Sequence, residues 1–259
     1  MGYFQKTFRP DIINGAVANV IQSNKTDLPF AAGDVLFDWQ SVDVPLGTNA
    51  IADGVIHMYG EDGSDQEEGD IILLIAKSNS GAAPTSLGAA NAVAGSCYEL
   101  PDILIGMMKF EGTTDYAGKV NLAGLGSSFY YHTNQNGQAK DIVLDLEQNS
   151  LGGPTTNRIY IAGIAGAAFD FSTGVLKDTA ETSDSATSLT TKTVDPRLAF
   201  RVGDTVYIHD VNTAIGTIAS MTATNITLNA AIAGGTDIAD EDEFMNAQPI
   251  TVTLGFKGR

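Results

Sequence analysis

Apolar and polar positions alternate with a period of two along much of the chain. Val42 and Val44 flank Asp43, Val55, His57 and Tyr59 interleave with Ile56 and Met58, and Ile250, Val252, Leu254 and Phe256 interleave with Thr251, Thr253 and Gly255. A two-residue period puts alternate side chains on opposite faces of a strand. Ile71 to Ala76 is instead continuously apolar, as expected of a strand covered on both faces. Gly, Pro, Asn and Asp punctuate these runs where turns need them. The pattern predicts about four strands between Asp34 and Lys77. Further strands are expected at Asp102–Phe110, Lys119–Leu125, Ser128–His132, Ile142–Leu146, Arg158–Ile164 and Ala168–Phe171.

Four stretches depart from this pattern. Residues 1–32 open with MGYFQKTFRP, an aromatic and basic segment that reads either as a docking arm or as a first strand of the body. Ile12, Ile13, Val17, Val20 and Ile21 then fit a helical stripe behind Asp11 as N-cap. Residues 78–96 are small, with Gly and Pro and no period, and read as a long ordered loop. Residues 177–194 are rich in Ser, Thr and Asp and read as a linker. Beyond them, Thr205–Ile208, Gly216–Met221, Asn225–Leu228 and Asp240–Phe244 make a unit at 195–246 the size of a small SH3-like barrel, which it resembles in its Gly203-Asp204 opening. The expected fold is therefore all-β: a jelly-roll-like β-sandwich at 33–176 and 247–259, with the small barrel inserted before its final strand and the N-terminal arm at 1–32.

Composition narrows the function. The 259 residues carry 14 basic and 31 acidic groups, a net charge of −17, and the charged fraction is only 17%, against about a quarter in typical domains. An acidic surface repels phosphate, so no nucleic-acid partner is expected. A surface this poor in charge suits a protein pressed against copies of itself or a partner. A single cysteine, Cys97, excludes an internal disulfide framework and a cysteine zinc site, and reads as a small packed residue. No signal peptide and no run of about 18 apolar residues is present, so no membrane partner is expected.

No residue pattern calls for catalysis. His57, His132 and His209 stand in separate strands, and no GxSxG, HExxH, Walker or dinucleotide loop occurs in a fitting context. The acidic run from Glu61 to Asp70 offers Asp62, Asp65 and Asp70 as weak Ca²⁺ candidates, but its spacing does not match an EF-hand and a solvated hairpin tip is the better reading, so no metal is expected. Asp237 to Glu243 reads the same way. The expected cofactor is none. The expected partner-binding residues are Tyr3, Phe4, Lys6, Phe8 and Arg9, aromatics that would anchor and cations that would steer.

One resemblance gives these features a setting. The motif W-x-x-V-D-V-P-x-G-T from Trp39 to Thr48, the strand I-x-L-x-I-A-K ending at Lys77, the following Ser/Gly/Pro loop with L-G-x-x-N, and the unit VGDTVYI…IGTIASMTATNITL resemble structural proteins of tailed bacteriophages, marine phages among them. The resemblance implies a non-enzymatic virion component, made in the host cytoplasm and carried on the capsid surface. It would decorate (cement) the capsid, contact the major capsid protein through its arm and associate with itself as a homotrimer. A tail or neck component is the next reading, and a carbohydrate-binding β-sandwich module the rival from another class.

Overall fold

The structure, a computed structural model, describes residues 2–13, 30–59, 69–112, 119–122, 127–131, 141–144, 156–168, 171, 173–179, 186–208, 213–233 and 238–258. The expected all-β fold is what forms. The first nine strands are β1 (Tyr3–Phe8), β2 (Val35–Pro45), β3 (Thr48–Tyr59), β4 (Ile71–Lys77), β5 (Leu104–Phe110), β6 (Lys119–Leu122), β7 (Ser127–Tyr131), β8 (Ile142–Val143) and β9 (Thr156–Ala165). Six more follow: β10 (Val175–Lys177), β11 (Ser188–Thr193), β12 (Thr205–Ile208), β13 (Thr213–Thr222), β14 (Asn225–Leu228) and β15 (Phe244–Asn246). The last is β16 (Ile250–Gly258). The only helices among the described residues are single turns at Leu100–Ile103 and Pro196–Ala199.

Two antiparallel sheets enclose the main core. One runs β1-β16-β3-β7-β6, with β8 also on β3; the other runs β2-β9-β4-β5. Alternation decides what each strand buries. Ile250, Val252, Leu254 and Phe256 of β16 meet Leu73, Ile75, Ile159 and Ile161 of the opposite sheet in one cluster. The stretch from Asp34 to Lys77 makes three long strands rather than four, because VDVP continues from Trp39 in β2 and the β2–β3 turn comes only at Leu46-Gly47. The outer face of the second sheet is covered by the 78–96 loop. Trp39 Nε1 donates to Thr85 O at 2.9 Å, and Leu87 packs on Val35 and Ala162. The helix expected from Ile12 to Ile21 falls mostly outside the described residues; Ile12 and Ile13 are fully buried in the main core.

The second unit has its own core, built on Leu189, Phe200, Val206, Ile218, Ile226 and Phe244. Its strands run β10-β11-β14-β13-β12-β15, and a bridge between Leu176 and Glu243 brings the two ends of that path together. The unit thus begins near Val175. Residues 177–194, expected to be a linker, contribute the end of β10 and all of β11. The reason is visible in SLTTKT: Leu189 and Thr191 alternate inward, and β-branched threonine suits a half-buried strand. Lys177 is fully buried, its amine donating to the carbonyls of Asp178 and Thr179.

Candidate functional site

The N-terminal segment is not a free arm. It is the edge strand β1, paired antiparallel with β16 in the register Tyr3↔Lys257 through Phe8↔Val252. Its inward face explains why. Phe4 stacks on Phe256 with ring centroids 5.1 Å apart, and Phe8 meets Phe37 edge-on at 6.2 Å. Such ring pairs add about 0.5–1.5 kcal/mol beyond the apolar area they bury. Both phenylalanines are therefore half-buried and hold the strand down, where the sequence cast them as anchors for a partner. Tyr3 lies on the outer face, 54% exposed, and its hydroxyl donates to the Asp53 carboxylate at 2.8 Å. That hydrogen bond, before burial, raises the phenol's pKa.

The two cations of the segment part ways. Arg9 turns inward to the joint between the two units. One amine of its guanidinium pairs with the fully buried Asp204, and the other donates to Gln248 O at 2.7 Å. Asp204 also accepts from the Arg201 backbone and from Asn246 Nδ2, both at 2.9 Å. Arg201 reaches from the second unit to His57 on β3 and to Thr251 on β16. Burial, and then the charges of Arg201 and Arg9, lower the His57 pKa to about 4, so the ring is neutral near pH 7. Of the five residues expected to bind a partner, Arg9 is instead an internal tie. Lys6 is exposed and has no ion pair among the described residues. Its charge acts weakly on Asp43, which Arg158 already holds through two hydrogen bonds of 2.7 and 3.1 Å.

Beside the start of β1 lies an apolar groove of about 210 Å³, lined by Tyr3, Phe4, Pro45, Leu46, Thr48 and Gly258, with Gly2 and Gly47. The β2–β3 turn builds one wall. Gly47 has φ 86°, the left-handed region that glycine enters without strain, and Thr48 Oγ1 donates to Pro45 O at 2.7 Å. Leu46 is left 47% exposed at the tip.

The remaining candidates resolve into structural roles or fall outside the described residues. Asp70 accepts from Gly112 N at 2.9 Å and pairs with Lys109 at 2.8 Å; Asp62 and Asp65 lie outside the described residues, as do His132 and His209. In the second acidic run, Asp240 pairs with Lys192 at 2.7 Å, Asp242 caps Ala239 N at 2.6 Å, and Glu243 accepts from Thr173 and Gly174. No three His, Cys, Asp or Glu side chains gather as metal ligands among the described residues. Cys97 is half-buried in the loop cluster, its thiol pKa raised by burial. A polar cleft of about 280 Å³ between Asp11, Phe37, Asp38, Gln40 and the 88–90 loop has its one aromatic, Phe37, buried in the core, which gives a sugar ring no stacking face. Sequence reasoning missed Asp204, Asn246, Arg201 and Leu46. Only the Gly-Asp pair at 203–204 carried a signal, and it reads as a turn. The chain matches no protein-family model and no curated protein sequence.

Proposed function

We propose that the chain is a non-enzymatic structural component of a tailed-phage particle that decorates the capsid surface by contact with the major capsid protein and by self-association. The sequence motifs from Trp39 to Asn91 and through the second unit support the virion reading. The observation that carries it in the fold is the edge of β1, on which no further strand lies among the described residues, with the apolar groove beside it. Apolar surface at an unpaired sheet edge is costly to leave in water and is commonly covered by a partner. Val93, Tyr98, Met107, Val143 and Val202 are further exposed apolar side chains from which self-contacts can be made.

The test is occupancy on purified undecorated capsids. Deleting the N-terminal segment is a poor probe, because it removes a paired strand and the Arg9 tie together. Leu46→Asp and Tyr3→Ser leave the cores intact, and each is expected to lower occupancy about tenfold or more, as for residues that contribute upwards of about 1.4 kcal/mol at an interface. If the unaltered chain leaves capsids bare but assembles with tail or neck proteins, the tail or neck role replaces decoration.

A further inference from the structure

Antiparallel pairing fixes which backbone groups of β1 face outward. Gly258 N donates to Gly2 O at 2.8 Å, and the register continues through Phe4↔Phe256, Lys6↔Leu254 and Phe8↔Val252. In such ladders, residues alternate between turning their N–H and C=O groups toward the neighbouring strand and away from it. Phe4, Lys6 and Phe8 therefore bond β16, while Tyr3, Gln5 and Thr7 point theirs off the sheet. Among the described residues β1 is the terminal strand of its sheet, so there these three residues present an unpaired ladder.

The side chains set the terms on which that ladder can be used. Phe4, Lys6 and Phe8 share the inward face, as the packing of both phenylalanines against the main core requires. A lysine turned inward on an edge strand blocks indiscriminate pairing, because any added strand must answer its charge. Next to Phe4, the groove at Leu46 has room for one aliphatic side chain. A strand laid on β1 would thus meet apolar surface at Phe4, a cation at Lys6 and apolar surface at Phe8. We propose that β1 is a docking edge for an extended segment of a partner protein with the pattern apolar–x–(Asp/Glu)–x–apolar, added as a further strand of the first sheet. The pattern is symmetric, so either strand direction satisfies it.

Charge complementarity selects this occupant over a second copy. Self-pairing of β1 centred on Gln5 sets each Lys6 against a phenylalanine ring, with no carboxylate to meet it. Main-chain hydrogen bonds supply affinity in strand addition and alternate side chains supply choice. The inference rests on the reading of β1 as the contact edge and says what chemistry that edge accepts.

The experiment uses the full chain and two blocked peptides of about ten residues, identical except that one carries Val-Thr-Glu-Thr-Val at its centre and the other Val-Thr-Lys-Thr-Val. The glutamate peptide is expected to bind about tenfold tighter, an attractive cross-strand pair replacing a repulsive one. On binding, amide hydrogen exchange slows at Tyr3, Gln5 and Thr7, and stays unchanged at Lys6 and Phe8, whose amides are already bonded. Lys6→Glu reverses the preference, and its unaltered melting temperature excludes misfolding. Equal affinity for both peptides, no binding by about 1 mM, protection elsewhere, or protection of the same amides by raising the protein concentration alone would each overturn the proposal, the last assigning the edge to self-association. A chain that takes the glutamate peptide but leaves capsids bare removes the capsid role and keeps the edge.

Discussion

The two ends of β1 are built from the same kinds of residue and do opposite work. At its start, Tyr3 and Phe4 border a groove open to solvent, and nearby Lys6 stands without an ion pair among the described residues. Just past its end, Arg9 pairs with a carboxylate that water does not reach, in a joint that also holds Arg201, His57 and Asn246. One short strand thus runs from an exposed apolar groove to a structural clasp. Environment, more than residue type, sets the role of each cation: an exposed amine is replaceable, whereas a guanidinium facing a buried carboxylate is not.

Four perturbations break or sharpen this contrast. Arg9→Ala leaves Asp204 as a buried charge with its main partner gone and is expected to cost about 3–5 kcal/mol in chemical denaturation; a loss under about 1 kcal/mol would mean that the joint is not held by this pair. Gly255→Ala, at the open end, has no room for a methyl group between the Asp53 carboxylate and the Tyr3 hydroxyl, and is expected to cost about 1–3 kcal/mol while freeing Tyr3, read as increased tyrosine accessibility.

Acid probes the closed end. Because the folded His57 pKa lies near 4, below the ordinary 6.5, the folded state binds fewer protons than the unfolded chain between those values. Stability from this residue is thus full above about pH 6.5 and declines as pH falls toward 4, by about 2 kcal/mol at most once solvent screening of a half-buried ring is allowed for. The measurement is the difference between the stability–pH curves of the unaltered chain and His57→Gln, which should grow across that window; parallel curves would refute it. The smallest effect is expected from Lys6→Ala, within about 0.5 kcal/mol by thermal melting. A larger loss would show that Lys6 serves the sandwich itself.

How far the chain could be read depended on the range of each interaction. Strands such as β16 were legible because Ile250, Val252, Leu254 and Phe256 alternate within one short window, and Ile71–Ala76 announced a strand covered on both sides. β11 was not, since Ser188–Thr193 buries only Leu189 and Thr191, and threonine is common in loops and strands alike. The role of the N-terminal segment was also beyond local reading. Its partner strand β16 lies some two hundred and fifty residues along the chain, and Arg9 meets Asp204 across 195 positions. Aromatic and basic composition alone fits an arm or an edge strand equally well. Leu46 carried no signal of its own in the sequence, and its exposure beside Tyr3 emerges from the pairing of β1, β16 and β3.

The antiparallel neighbours β1 and β16 put Gly2 beside Gly258, and this geometry has a mechanical consequence. A pull applied across those two residues acts at one end of the β1–β16 ladder and separates it as a zipper, one rung at a time, so the strand yields at low force. The Arg9 clasp sits at the far end of the same ladder, just past Phe8. Under load, peeling would expose the Phe4 and Lys6 face first and then stall at the buried ion pair, leaving the second unit and the rest of the sandwich joined.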